Sequence, residues 1–139
     1  MELNYKILGV PKAKQSVQFT KKGFAYQPTE IVQREKNLSW DIKSQTPLGH
    51  IPFDGPIGSE LLFVFPIPSG WSKKKVEELA EGKVFYHAVK PDLHDNLCKM
   101  VFDCMEGIVF VNDSRNCKLS SQKIIGEIPR IEIKIYELN

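Results

Sequence analysis

The chain has 139 residues, 42% of them hydrophobic and 26% charged, with a formal net charge of +2. That length suits one domain with its own core rather than two, and the composition excludes long disorder and low-complexity sequence. Apolar runs are short, the longest being Leu61 to Phe65, and MELNYKILGV lacks the basic-then-apolar layout of a signal peptide, so a cytoplasmic protein without membrane contact is expected.

Leu3 to Val10 alternates as a first strand. Gly9 and Pro11 then turn the chain into a polar connection carrying Lys12 and Lys14, and Lys21-Lys22-Gly23 splits Phe19 to Tyr26 into a short hairpin. From Thr29 to about Lys43, Ile31, Glu35, Leu38 and Ile42 fall at helical spacings behind a Pro28-Thr29 start, and Trp40 would enlarge that apolar face. Ser59 to Ile67 reads as a buried strand. Ser72 as N-cap and Gly82 as terminator bracket a short helix. Lys73, Lys74 and Lys75 crowd its first turn, the unfavourable end of the helix dipole; a solvated surface explains them, and so does a neighbouring phosphate backbone.

Val84 to Ala88 reads as a short strand. Pro91-Asp92 opens a helix of about a dozen residues that Gly107 ends. Ile108 to Val111 and the alternating Ile131, Ile133 and Ile135 supply further strands, Pro129 marking the start of the last. Two or three helices and five or six strands without a regular β-α-β rhythm give an α+β class: a single two-layer domain over residues 1–139, on a mixed sheet of about five or six strands.

Cys98, Cys104 and Cys117 are an odd count without a CxxC, and their spacing with His87 and His94 matches no zinc pattern, so free thiols are expected. The small net charge hides an asymmetry. Residues 1–50 hold eight Lys/Arg against four Asp/Glu, whereas residues 91–139 hold six against eight. A basic half beside an acidic cluster suits a polyanion held over a metal site, although uneven surface charge without consequence has the same appearance.

The acids concentrate in KPDLHDNLCKMVFDCMEGIVFVND, Lys90 to Asp113. At about 100° per residue, Leu97, Val101, Cys104 and Met105 form one apolar stripe, and Asp95, Lys99 and Asp103 form a separate polar one. Asp92 lies three residues before Asp95, and a chain that turns back at Gly107 can return Asp113 toward the start of the helix. Three converging carboxylates suit a hard cation such as Mg²⁺, which relieves the repulsion they would otherwise feel. A purely structural account stays open: Asp92 as an N-cap, Asp95 as first-turn acid, Lys99 paired with Asp95 and Asp103, and Asp113-Ser114 as a turn.

Pro91-Asp92, Asp95-Asn96-Leu97, Lys99, Asp103, Gly107 and Asp113 together resemble the central motif of the RusA family of Holliday-junction resolvases, metal-dependent endodeoxyribonucleases in which a PD-x-DNL-x-K helix precedes an aspartate at the end of the next strand. GVPKAKQSVQF and YQP resemble the family's basic loop and hairpin, GPIGSELLFVFPIP its buried strand, and WSKKKVEELAEG its lysine-rich helix. The resemblance implies that Asp92, Asp95 and Asp113 bind metal and act in catalysis with Lys99, that Asp103 orients Lys99, and that Asn96 supports the site from behind. It also implies Mg²⁺ with Mn²⁺ as substitute, no organic cofactor, a homodimer, and four-way junction DNA contacted by Lys12, Lys14, Lys21, Lys22, Lys73, Lys74 and Lys75.

Departures stand beside it. Leu93 and His94 intervene where the family usually has one residue, which raises His94 as a substitute for Asp92. Asn112 stands where the family often has a second aspartate, and Gln15 and Ser16 where arginine and proline are common. The alternative is a non-catalytic, branched-DNA-binding homologue with a degenerate metal site.

Overall fold

The computed structural model describes residues 1–12, 18–19, 25–26 and 29–139, and the side chains of residues 1–12 and 37–139. The elements run β1 (Glu2–Leu8), β2 (Gln18–Phe19), β3 (Ala25–Tyr26), α1 (Thr29–Gln45), β4 (Ile57–Phe65) and α2 (Lys73–Ala80), then a π-helical turn (Leu93–Cys98) passing into α3 (Lys99–Met105), a 3-10 turn (Asp113–Arg115), β5 (Asn116–Ile125) and β6 (Arg130–Glu137).

Four strands form one mixed sheet in the order β1-β6-β4-β5, in which only β4 and β5 are parallel. The pairing register explains why the strands alternate. Leu3, Ile135, Ser59 and Leu119 stand in one row, Tyr5, Ile133, Leu61 and Ser121 in the next, and Ile7, Ile131, Phe63 and Lys123 in a third, all on one face. Leu38 and Ile42 of α1, together with Leu97, Val101, Cys104 and Met105, pack on that face in a single core cluster. The other face carries the polar partners of the alternation: Lys134 ion-pairs with Glu2 at 3.6 Å and Glu60 at 3.5 Å.

The α+β, two-layer reading therefore holds, with three α-helices among the described residues. The sheet has four strands, fewer than the five or six expected, and β2 and β3 pair separately as the hairpin. Val84 to Ala88 is not a strand of the sheet; it makes one antiparallel bridge, Tyr86 to Ile124, flanked by His87 N–H to Lys123 O at 3.0 Å and Ile125 N–H to Phe85 O at 2.9 Å. Ile108 to Val111 is not a strand either. Gly107, at φ 84°, reverses the chain so that its N–H reaches Phe110 O at 2.8 Å, and Val109 and Phe110 plug the core from a turn. Trp40 points outward, 69% exposed, because at about 100° per residue it lies roughly opposite Leu38 and Ile42.

Candidate active site

The apolar stripe forecast for the acidic helix is buried as expected, with Leu97, Val101 and Met105 fully enclosed, and this fixes which residues face water. Asp92 and Asp95 are exposed at the N-terminal end, Asn96 is half-buried, Lys99 is exposed and Asp103 half-buried. The helix opens with a π turn: Asp92 is extended, at φ −68° and ψ 141°, and its carbonyl accepts from Leu97 N–H at 3.1 Å, five residues on. Its side chain makes no capping hydrogen bond. That separates it from the purely structural account, in which the carboxylate is spent on the helix end. The two residues between Asp92 and Asp95, one more than the RusA pattern has, fall inside this wider turn.

Lys99 Nζ lies 4.0 Å from Asp103 Oδ2, one helical turn away, so Asp103 sits where an orienting partner for Lys99 belongs. Its carboxylate is turned to the ammonium rather than left open.

Asp113 lies at the other end of the unit. Its N–H donates to Glu106 Oε1 at 3.1 Å, and Glu106 is the residue that ends α3. Three anchors hold the turn. Asn112 Oδ1 accepts from Ser114 N–H at 3.0 Å, so the asparagine caps it. Arg115 binds Asp54 through its backbone oxygen at 2.7 Å and its carboxylate at 2.9 Å. Asn116 Nδ2 donates to Asp113 O at 3.1 Å, while Asn116 Oδ1 accepts from the hydroxyl of Ser59, a fully buried residue of β4.

The run from Asp92 to Glu106 spans on the order of 20 Å at about 1.5 Å rise per residue. The expected return of Asp113 to the start of the helix is therefore not what the fold does: the chain leaves Gly107 and delivers Asp113 beside Glu106. Among the described residues no three His, Cys, Asp or Glu side chains form a group that could hold a metal ion. Glu106 is the acid that sequence reasoning passed over. Its signal was an acid directly before the Gly107 stop, where a reversal lays it against whatever follows.

The cations divide. Lys73 and Lys74 are exposed, and Ser72 caps α2 as expected, accepting from Lys75 N–H at 3.2 Å. Lys75 extends its ammonium over the Trp71 ring, 4.7 Å from its centre. Trp71 meets Phe85 edge to face at 4.8 Å, and Phe85 O is tied to Ile125 at the C-terminal end of β5. Pro91 O is tied to Lys123 of the same strand end, so the lysine-rich helix and Asp92 share one end of the molecule. Lys12 is exposed after β1; Lys14, Lys21 and Lys22 lie outside the described residues. Cys98 and Cys104 are buried and Cys117 is exposed, and all three are thiols outside any disulfide; burial pushes the Cys98 thiol up, with a hydrogen bond to Ser121 opposing it.

The domain thus carries open carboxylates and a lysine on one helix, with a row of cations at the same end. The family model for endodeoxyribonuclease RusA matches residues 9–136. The chain belongs to this family, whose members act on branched junction DNA. One relative, "uncharacterized protein YqaN" of Bacillus subtilis (strain 168), is 33% identical over 86 residues, which cover 61% of this chain and 60% of that protein. No helix among the described residues is long and apolar enough to cross a membrane.

Proposed function

We propose that the chain is a Mg²⁺-dependent endonuclease that resolves four-way DNA junctions by paired phosphodiester hydrolysis, working as a homodimer in the cytoplasm, with Mn²⁺ able to replace Mg²⁺. The observation that carries the reading is the Asp92 carboxylate, exposed at a helix start and unused by the helix, three residues before the exposed Asp95, which itself lies four residues before Lys99. Oxygen donors of this kind fit Mg²⁺, which takes one or two carboxylates and fills its remaining positions with water and substrate phosphate. Bound there, it supplies Lewis-acid polarisation of the scissile phosphate and an acidified water.

Asp92 and Asp95 hold the ion in this reading, and Asn96 supports them. Lys99, four residues from Asp95 and steadied by Asp103, places its ammonium toward charge that builds on the phosphoryl group or the leaving oxygen. Lys73 and Lys74 contact phosphates, which positions the junction without reading its bases. Asp113 does not belong to the same cluster within one chain. In a two-fold homodimer each end of the helix is present twice, and Asp113 acts across that interface.

The test is cleavage of a synthetic four-way junction with Mg²⁺ by the wild-type chain and by Asp95→Asn, Asp113→Asn and Lys99→Ala. Each substitution is expected to lower the rate by about 10²-fold or more while junction binding survives. Tight binding by the wild type without nicks in Mg²⁺ or Mn²⁺ would replace this reading with the non-catalytic DNA-binding homologue.

A further inference from the structure

We infer that Lys123 is a positioning residue for the acidic site: its ammonium, together with the His87 ring, clamps the three carbonyls that lead into Asp92. Lys123 Nζ donates to Val89 O at 2.7 Å and to Pro91 O at 2.8 Å, and His87 Nε2 donates to the intervening Lys90 O at 3.1 Å. The next carbonyl, that of Asp92, is taken by Leu97 N–H in the π turn. Four successive carbonyls are thus fixed, and the backbone on both sides of the first carboxylate has no free acceptor to let it drift.

Both holding groups are themselves rigid. Lys123 projects from the inner face of β5, opposite Phe63 in a row otherwise made of Ile7, Ile131 and Phe63. An apolar side chain would suit that row better, because a half-buried ammonium is costly unless its protons are used. Among the described residues Lys123 makes no ion pair, and its ammonium donates to the two loop carbonyls. His87 lies flat on the buried Phe65 ring, centroids 4.0 Å apart and planes 7° apart, and its own N–H is held by Lys123 O at 3.0 Å. The sheet therefore sets the place of Asp92 through one strand. Outer groups that fix a metal-binding side chain in this way commonly govern affinity as much as the side chain itself.

The inference rests on the reading of Asp92 as a metal-binding carboxylate, and the experiment separates the two. Lys123→Met keeps the stem and removes the donors; Lys123→Arg restores donors with another shape. The full-length chain is assayed for junction cleavage across a Mg²⁺ titration, for the shift in melting temperature on adding Mn²⁺, and for amide hydrogen exchange at residues 89–93 without metal. For Lys123→Met the expected result is a half-saturating Mg²⁺ concentration raised by about tenfold or more, with unchanged KM for junction DNA, a lost Mn²⁺ shift and faster exchange at residues 89–93. Lys123→Arg is expected to recover part of each. A Lys123→Met chain with wild-type metal dependence and wild-type exchange overturns the inference alone. The same metal defect in Tyr5→Phe, a remote variant weakened at its Thr46 hydrogen bond, also overturns it, since the effect would then be general loosening. A wild-type chain that neither cleaves nor responds to Mn²⁺ overturns the metal reading and this inference with it.

Discussion

Asn116→Ala is the substitution whose cost the structure lets one work out most fully. Ser59 is fully buried, and the partner of its hydroxyl is Asn116 Oδ1, which also anchors the turn carrying Asp113. Removing the amide strands a buried hydroxyl, at about 1–3 kcal/mol, and loses the exposed bond to Asp113 O, worth about 0.5–1 kcal/mol. Ser59→Ala is milder, since Asn116 is only half-buried and its oxygen turns to water; about 0.5–1.5 kcal/mol is expected. The double variant strands nothing, so it should be no less stable than Asn116→Ala alone. Urea unfolding reads all three: at a slope of about 2 kcal/mol per M, a loss of about 2 kcal/mol moves the midpoint by about 1 M. Ser59→Ala costing as much as Asn116→Ala, or the two adding to within about 0.5 kcal/mol, would refute the assignment of a coupled, buried pair.

Gly58 sits under the Tyr136 ring, and a Cβ there would fall inside van der Waals contact with it, so Gly58→Ala should cost about 1–3 kcal/mol in the same urea assay. Cys117 should react with a thiol reagent in the native protein, and Cys98 and Cys104 only on unfolding. Burial raises the Cys98 thiol and the Tyr5 phenol above their ordinary values, so their neutral forms favour the fold: stability is full below the ordinary thiol value and falls as pH climbs through the raised ones. Melting temperature against pH should decline on the alkaline side, less steeply in Cys98→Ala. Lys73→Ala with Lys74→Ala should lower the slope of log junction affinity against log salt by about 2, each phosphate contact contributing about 0.9; an unchanged slope would remove α2 from the DNA surface.

What could be read from the chain followed periodicity. β1, β6 and the buried stripe leading into α3 each repeat at the spacing of one face, β4 is a run buried on both faces, and Ser72 and Gly107 punctuate as their chemistry demands. β5 escaped notice because NCKLSSQKII is an edge strand whose middle is exposed, leaving no alternation to see. The run IVFV misled for the opposite reason: a short apolar run reads as a strand, whereas a turn that buries Val109 and Phe110 and leaves Val111 exposed uses the same residues. Among the acids, residue type and order pointed to the right segment, and the stripe of Asp95, Lys99 and Asp103 was legible from spacing. The position of Asp113 was not, since it depends on the direction in which Gly107 sends the chain.

The distance between the two acidic ends is a property of regular structure. Asn116 anchors Asp113 at the start of β5, and Lys123 anchors the Asp92 loop near its other end. Within one chain the length of the helix stands between Asp95 and Asp113, which is hydrogen-bonded to Glu106 at the far end. If the two acids serve one phosphate, a second chain must bring one of them, and this has a consequence for mixtures. Asp95→Asn and Asp113→Asn chains are each inactive alone in this scheme. In a mixed dimer, one site inherits both substitutions and the other inherits neither. Equal mixing after unfolding and refolding together should restore about one quarter of the wild-type sites, seen as single nicks in the junction, because half of the dimers are mixed and each has one intact site. Were each site instead built within a single chain, every site in every dimer would carry a substitution, and the mixture would stay as inactive as its parts.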